Sequence, residues 1–486
     1  MIRLAASATL ALTLLGACAT LNRPDAATVV RQAEAAMGGT QLKSLQFSTQ
    51  GGGGTFGQAY VPGMAWPQLK YSVLTRVANY EQGSWREEFG RARAEPTGGG
   101  AAPLMGQGEQ RAVALAAEGI AWNQAGPNNT PAPVALDERL HDLWTTPHGV
   151  LKAALRNGAR ADTRSEGGRT FTTLAFTEPG RFAATVFIND KNLVERVEST
   201  RPHPVAGDTA VVTSYLDYRD FNGVMFPARI RQSQGDFEVL DLTVVDARPN
   251  VAAHIVVPDN VRNAGERVVA EKAADGVWYL TGGSHHSVLI EMKDHLLLVE
   301  SPLHDGRALA VLNEARKLVP GKPVRSVVNS HHHFDHAGGL RAAASEGATL
   351  VTSAAAKPYF ERVFANPNRI SPDALARSGR SAGIVGVTGR LDLGDASRRV
   401  EVHELQGSVH ATGFLVVYLP AERVLIEADA YTPGAPGMAP PPVPNANNVN
   451  LVQNIERLGL NVERILPLHG RMVPIGELHA AIGRNP

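Results

Sequence analysis

The stretch NSHHHFDHAGG, residues 329–339, constrains the fold of this chain more than any other, because it places four histidines and an aspartate within six consecutive positions. The chain has only 16 histidines in 486 residues, so random placement explains this cluster poorly. An apolar stretch that is typical of a buried strand precedes the cluster, and two glycines that begin a predicted helix follow it. A surface histidine tract would not occupy such a position. The cluster therefore predicts a metal site.

The spacing within the cluster suits two metal positions. His331 and His333 are two residues apart in an extended segment, so their side chains point to the same side and can bind one cation. Asp335 and His336 follow where the chain turns, and their side chains can reach a second cation. Imidazole and carboxylate ligands suit zinc. A site for a single metal is the alternative that this spacing leaves open. His332 must point away from the first metal, which predicts a packing role or a hydrogen bond to a ligand.

Three further candidate ligands occur where predicted strands end. His410 lies in a loop between two predicted strands, Asp429 follows the apolar run 424–426, and His469 follows Ile465-Leu466. Because α/β sheets build their sites at strand ends, these three residues are expected to complete the ligand set.

The second half of the chain has the pattern of an α/β domain. Residues 269–486 alternate short apolar strands with helical segments such as 307–318, where apolar residues repeat on one face. This order predicts a layered α/β domain that runs to the C-terminus. Residues 258–268 form a polar connector before it.

The first half, residues 24–257, has the pattern of an antiparallel β domain that begins with a short helix at 25–37. A hairpin is predicted over 184–199, and the four glycines at 51–54 are typical of a loop. Strands are also expected at 210–218 and 237–246, with a turn at Asn222-Gly223 between them, and PTGGGAAP at 96–103 indicates another loop.

The second half of the chain resembles a known family. Residues 276–486 resemble the metallo-β-lactamase-fold hydrolases, which are αββα sandwiches that bind one or two zinc ions at a shared sheet edge. The family motif H-x-H-x-D-H matches 331–336, and the later histidine, aspartate and histidine of the family match His410, Asp429 and His469. The resemblance implies that the first zinc is held by His331, His333 and His410, and the second by Asp335, His336 and His469, with Asp429 bridging the two ions.

The resemblance also implies an activity. Two zinc ions would share a hydroxide that cleaves an ester, lactone, thioester, amide or phosphoester bond of a small molecule, and Asp335 would orient that hydroxide. Flavin-partnered di-iron relatives carry glutamate where His333 stands, which disfavours that branch. A mononuclear-iron enzyme similar to the sulfur dioxygenases stays open, as does a lipid- or ligand-binding lipoprotein with a vestigial metal domain.

Two departures from the family pattern concern the later ligands. Many relatives have threonine directly after the histidine that matches His410, whereas here Ala411 intervenes before Thr412. The bridging aspartate usually follows glycine, but Asp429 follows Ala428, so this aspartate fits either a bridging or a non-bridging role. A bridging Asp429 is favoured because a carboxylate between two cations is the usual dinuclear arrangement.

Three more residues are candidates for the substrate pocket. Tyr431 lies two residues after Asp429 and is a possible oxyanion or substrate contact. His285 and His286 lie near a strand start and could line the pocket, although a structural role suits them equally well.

The β domain has a looser resemblance of its own. The phrase DYRDFNGVMFP at 217–227 and the rhythm of its strands resemble the half-barrel domains of outer-membrane lipoprotein carriers. This resemblance implies a concave apolar surface that could hold a lipid or a substrate tail. A domain that serves only as a spacer is the alternative.

The N-terminus indicates export. Residues 1–18 combine Arg3 with an apolar, small-residue run that is typical of a secretory signal, and the tetrapeptide at 15–18 resembles the bacterial lipobox. Cys18, the only cysteine of the chain, would then carry the lipid. A plain signal peptide is the alternative. The expected location is the periplasmic side, and Ala19 favours an outer-membrane lipoprotein.

Charge argues against a nucleic-acid partner. Lysine plus arginine and aspartate plus glutamate each total 47, so the formal net charge is zero. No basic run of the kind that binds a phosphate backbone occurs.

Overall fold

The computed structural model describes residues 23–94, 108–439 and 442–484. The predicted signal peptide, Cys18 and the predicted loop at 96–103 lie outside this part of the chain. The described residues form a large antiparallel sheet domain followed by a two-sheet α/β domain, as predicted. Within them, no helix is both long enough and apolar enough to cross a membrane.

The first domain is built on a sheet of thirteen antiparallel strands. Its elements are α1 (Ala26–Ala36), β1 (Ser44–Gly54), β2 (Gln68–Asn79), β3 (Ser84–Arg93), β4 (Gln110–Ala117), β5 (Ile120–Ala125), β6 (Asn128–Pro131), α2 (Leu136–Thr145), α3 (Pro147–Arg156), β7 (Arg160–Glu166), β8 (Arg169–Glu178), β9 (Phe182–Ile188), β10 (Val194–Arg201), β11 (Thr209–Phe221), β12 (Val224–Gln234) and β13 (Phe237–Pro249). Strand β1 pairs with β13 in the middle of the sheet, and the other strands extend to both sides in sequence order.

Helix α1 confirms the helix predicted at the start of this domain. The carboxylate of Asp25 caps the helix by accepting a hydrogen bond of 2.9 Å from the Thr28 backbone N–H. The apolar stripe of α1 is buried in a core that it shares with α2, α3 and one face of the sheet. This face is therefore covered by the chain's own helices, and a site for a lipid or other apolar ligand stays a prediction.

The remaining predictions for the β domain have mixed outcomes. The predicted hairpin is confirmed as β9 and β10. The stretch after the Asn222-Gly223 turn, expected only to connect two strands, is itself strand β12. The predicted loop at 51–54 is wrong, because these glycines continue β1: all four pair with β2, and the first three also pair with β13. Pairing on both sides satisfies their backbone groups and outweighs the loop preference of glycine.

The second domain contains the α/β layers. After α4 (Asp259–Arg262) in the connector, its elements are β14 (Val269–Ala274), β15 (Val277–Thr281), β16 (Ser287–Glu291), β17 (Leu296–Val299), α5 (Asp305–Leu318), β18 (Val324–Val328), α6 (Phe334–Ala337), α7 (Leu340–Ser345), β19 (Thr349–Ser353), α8 (Lys357–Ala365), α9 (Ala374–Ser378), β20 (Ile384–Val387), β21 (Arg390–Asp392), β22 (Glu401–Glu404), β23 (Leu415–Leu419), β24 (Val424–Glu427), α10 (Ala446–Leu458), β25 (Arg464–Pro467), β26 (Val473–Pro474) and α11 (Ile475–Ala481).

Two sheets face each other in this domain. Strands β14 to β20 form one sheet, in which β17 to β20 are parallel, and strands β21 to β26 form the other. Apolar side chains of both sheets, such as Ile290 and Val417, fill the space between them. Helices α5, α7 and α8 share a second apolar core with the first sheet, while α10 and α11 pack against the second. The α/β sandwich predicted from the sequence is thus confirmed.

The two domains are joined by more than the connector. The loop between β1 and β2, residues 55–67 (the β1–β2 loop), extends onto the second domain. There the Phe334 backbone N–H donates a hydrogen bond of 3.2 Å to the Gly57 carbonyl, and the Thr412 N–H donates one of 2.9 Å to the Tyr60 carbonyl.

The glycine pair Gly338-Gly339 determines how the histidine-rich segment turns into α7. A Cβ atom at Gly338 would overlap the carbonyl oxygen of Leu303, and one at Gly339 would lie 2.8 Å from the Ser301 carbonyl oxygen. The segment therefore packs directly on the backbone that follows β17, which fixes the direction in which His336 leaves the chain.

Replacing Gly338 tests this close packing. We expect Gly338→Ala to lower the free energy of unfolding by roughly 1–3 kcal/mol, because a methyl group has no space beside the Leu303 carbonyl. Gly265→Ala is the control, since nothing lies within 4 Å of the added methyl there, and its effect should stay within about 0.5 kcal/mol. Urea denaturation followed by circular dichroism measures both, and equal midpoints would contradict the packing argument.

Candidate metal centre

The structure brings all seven candidate ligands together at one edge of the two sheets. The seven are His331 and His333 after β18, Asp335 and His336 in α6, His410 between β22 and β23, Asp429 after β24, and His469 after β25. Each follows a strand, as expected for a site at strand ends. The side chains divide into two clusters.

The first cluster consists of three histidines. The Nε2 atom of His331 lies 3.0 Å from Nδ1 of His333, and Nε2 of His410 lies 3.1 Å and 3.0 Å from these two atoms. All three side chains are buried. Asp429 closes the cluster, with its Oδ2 atom 3.0 Å from Nε2 of His410. Four ligand atoms thus face one point, which is the arrangement of a tetrahedral metal site.

The second cluster shares Asp429 with the first. The Nε2 atoms of His336 and His469 lie 3.2 Å apart, and Oδ1 of Asp429 lies 3.1 Å and 2.9 Å from them. Oδ2 of Asp335 is 3.9 Å from the His336 Nε2 atom. One oxygen of Asp429 therefore faces each cluster, which is the geometry of a bridging carboxylate.

His285 joins the second cluster, where the sequence indicated only a possible pocket residue. Its Nε2 atom lies 3.2 Å from Oδ2 of Asp335, and its ring centroid lies 4.2 Å from that of His469. Its neighbour His286 turns away, with Nε2 3.0 Å from the Gly470 carbonyl oxygen. His286 thereby holds the loop that carries His469.

A buried glutamate that sequence reasoning missed orients the second cluster. Glu300 is fully buried directly after β17, with one carboxylate oxygen 3.0 Å from Nδ1 of His336. Its other oxygen accepts a hydrogen bond from the Ser330 backbone N–H. A carboxylate on the far nitrogen fixes the tautomer of a metal-binding histidine, so the His336 Nε2 atom is left to bind metal. The sequence signal that could have identified Glu300 is a charged residue at the end of an apolar strand.

Other ligands are oriented in the same way. Nδ1 of His331 lies 2.9 Å from the Ser330 hydroxyl, and Nδ1 of His469 lies 3.1 Å from the Ser284 carbonyl oxygen. In each case the nitrogen that faces the cluster is the one left free for a metal.

The electrostatics of the site fit cations. Burial and the neighbouring imidazoles lower the pKa of His331 well below its usual value, so this ring is a neutral ligand. Burial alone would also lower the pKa of His336, but the carboxylates of Asp429, Asp335 and Glu300 outweigh it and raise that pKa well above its usual value. The three carboxylates thus favour positive charge here, and the donor set of imidazoles and carboxylates suits zinc.

Exposure differs between the two clusters. In the first, the side chains of His331 and His410 are 0 % and 3 % exposed. In the second, the side chains of Asp335 and His469 are 30 % and 22 % exposed. The second cluster is therefore the more solvent-exposed of the two.

The remaining sequence candidates lie outside the two clusters. Tyr431 is 3 % exposed and packs in the core between the sheets, which leaves little of its surface for a substrate. His332 lies beside the first cluster, and its Nε2 atom is 2.8 Å from the Ala59 carbonyl oxygen. This contact agrees with the packing or hydrogen-bonding role predicted for His332.

Comparison with known proteins agrees with this fold and site. Residues 280–469 match the family model of the metallo-beta-lactamase superfamily, and this range includes every candidate ligand. This part of the chain is therefore similar to that superfamily.

A curated relative and two solved structures are each similar to part of the chain. The linear primary-alkylsulfatase of Pseudomonas sp. (strain ATCC 19151) is 25% identical over 225 residues, which cover 38% of this chain and 41% of that protein. The match thus spans about two fifths of the length of the curated relative. A metallo-beta-lactamase from Pontibacter korlensis is 18% identical with a TM-score of 0.35, covering 45% of this chain and 98% of that one. The DIM-1 metallo-beta-lactamase is 13% identical with a TM-score of 0.33, covering 44% and 94%.

Metal stoichiometry tests the two-cluster geometry. We expect the purified protein to bind about two zinc ions per chain, because Asp429 presents one oxygen to each cluster. His410→Ala should lose about one of them, since it removes a ligand of the first cluster only. His479→Ala, which removes a histidine on α11 outside both clusters, is the matched control. Inductively coupled plasma mass spectrometry measures the bound metal, and unchanged stoichiometry in His410→Ala would contradict the assignment.

Proposed function

We propose that this protein is a metal-dependent hydrolase that activates water at a two-metal centre. The observation that carries the proposal is the position of Asp429, whose two carboxylate oxygens each face a separate cluster of imidazoles. When bound, two zinc ions would supply a water of lowered pKa and Lewis-acid stabilisation of developing negative charge. Iron is the alternative metal for these ligands.

The side chains of the site have separate roles in this proposal. His331, His333 and His410 would hold the first metal in a buried position, and His336 and His469 would hold the second, where His469 is partly exposed. Asp335 is 30 % exposed and contacts Gln58 and His285 through its two oxygens, and these contacts support a role in orienting the attacking water. No serine or cysteine nucleophile is required.

The bond that is cleaved is proposed to be an ester-type linkage. Water adds across this linkage, and the products are an acid and an alcohol, or a thiol or an amine for a thioester or an amide. A sulfate ester is the first substrate to test, because the curated relative is named a linear primary-alkylsulfatase. Carboxylic esters, lactones, thioesters, amides and phosphoesters complete the panel, since loops rather than ligands determine the substrate.

Chelation provides the direct test of this activity. We expect the zinc-loaded protein to hydrolyse at least one member of the panel, a chelator to abolish the activity, and added zinc to restore it. Asp429→Asn should lower kcat/KM by more than the roughly 10–100-fold that the loss of an outer hydrogen bond costs, because it weakens both metal positions. Activity that survives metal removal would refute the proposal.

We further propose that the protein is exported and anchored through Cys18 on the periplasmic side of the outer membrane. The lipobox-like residues 15–18 support this proposal. In a bacterial host, metabolic labelling with a radioactive fatty acid should mark the wild-type protein but not Cys18→Ser, and membrane fractionation should follow the label. Equal labelling of both proteins would contradict lipidation at this residue.

A further inference from the structure

The β1–β2 loop holds the turn of the histidine-rich motif. Phe334, which stands between the ligands His333 and Asp335, inserts its ring among aromatic side chains of the first domain. Its ring centroid lies 5.2 Å from that of Phe56 and 5.8 Å from that of Trp66. The motif is thus anchored in a domain far from it in sequence.

The same loop contacts a ligand of the first cluster. The carbonyl oxygen of Ala59 lies 3.0 Å from Nε2 of His333. Because a carbonyl only accepts hydrogen bonds, the His333 proton is on Nε2, and Nδ1 is left as the metal-binding atom. The first domain therefore fixes the tautomer of one ligand.

The loop also contacts the second cluster. Nε2 of Gln58 donates a hydrogen bond of 2.9 Å to Oδ1 of Asp335. The other oxygen of Asp335 lies 3.2 Å from His285, in the second domain. The first domain thus holds one oxygen of the Asp335 carboxylate, and the second domain holds the other. Oε1 of Gln58 is buried and has no hydrogen-bond partner among the described residues.

Further along the loop, Tyr60 is fixed to the segment that carries His410. The Tyr60 hydroxyl donates a hydrogen bond of 2.8 Å to the Ser408 carbonyl, and the Tyr60 carbonyl accepts bonds from both the N–H and the hydroxyl of Thr412. Residues 57–60 are therefore held against the site at both ends.

We infer that the first domain completes the metal centre, with Gln58 as the positioning residue for Asp335 and the Ala59 carbonyl as the positioning group for His333. The loop thereby sets one ligand at each of the two metal positions. This inference gives the β domain a role at the site, where the sequence left a choice between a ligand carrier and a spacer. It rests on the proposed metal-dependent function.

Removing the amide of Gln58 is the first test. Gln58→Met keeps a straight side chain of similar size but cannot donate to Asp335. We expect the affinity for one of the two zinc ions to fall roughly 10–100-fold in competition with a chromophoric chelator. In the protein with cobalt in place of zinc, only the absorption bands of the cobalt ion at that position should change. Gln68→Met is the matched control, because Gln68 donates to the Trp66 carbonyl instead of a ligand.

Displacing the loop is the second test. Gly57 has φ +85°, and a Cβ atom there would overlap the Phe334 ring. Gly83 has φ +65°, but its added methyl would come no closer than 3.6 Å to Trp144. Alanine strains the backbone at both positions, whereas only Gly57→Ala pushes the loop away from the ligands. Gly57→Ala should therefore weaken zinc binding at both positions, and Gly83→Ala should leave it unchanged.

The outcomes separate this inference from the proposed function. If Gln58→Met and Gly57→Ala fold, as judged by circular dichroism, and bind both zinc ions as tightly as the wild type, the inference is overturned while hydrolysis stands. If only one variant folds, its zinc affinity alone decides the inference: wild-type affinity overturns it, and weakened affinity supports it. A wild-type protein that binds no metal would overturn both proposals.

Discussion

The site of the second domain is organised around Asp429, whose two carboxylate oxygens each face a separate group of histidines. Ring nitrogens of five ligand histidines approach each other to between 3.0 and 3.2 Å around the two oxygens of one aspartate. These atoms lie close enough together for each cluster to hold one metal ion. The sheets carry the ligands to one edge, and Glu300, Ser330 and Ser284 hold the far sides of the rings.

Much of this centre could be predicted from the sequence, because its ligands lie in short segments after apolar strands. The spacing within 331–336 and the positions of His410, Asp429 and His469 were sufficient to propose two metals. The roles of His285 and Glu300 at the site were harder to predict from the sequence. His285 has no ligand-like spacing to any other histidine, and Glu300 acts through His336, which lies on a different segment of the chain. Such roles depend on which strand ends become neighbours, and local pattern does not encode this.

The β domain shows the same limit at a larger scale. Its first helix and the hairpin of β9 and β10 follow from local signals, namely an N-cap and a tight turn. The pairing of β1 with β13 joins the two ends of the domain, and it turns four glycines that are typical of a loop into strand. The approach of the β1–β2 loop to the metal ligands is also non-local, since a loop sequence does not specify the surface against which it packs.

Gln58 and Asp335 are separated by 277 residues in the sequence, yet the hydrogen bond between their side chains is one of the contacts that join the first domain to the metal centre. Binding free energies that are linked in this way act reciprocally. If the loop strengthens metal binding by a given free energy, bound metal strengthens the association of the two domains by the same amount. On the proposed function, a bound metal would therefore stabilise the contact between the two domains as well as activate water, and removal of the metal would weaken that contact.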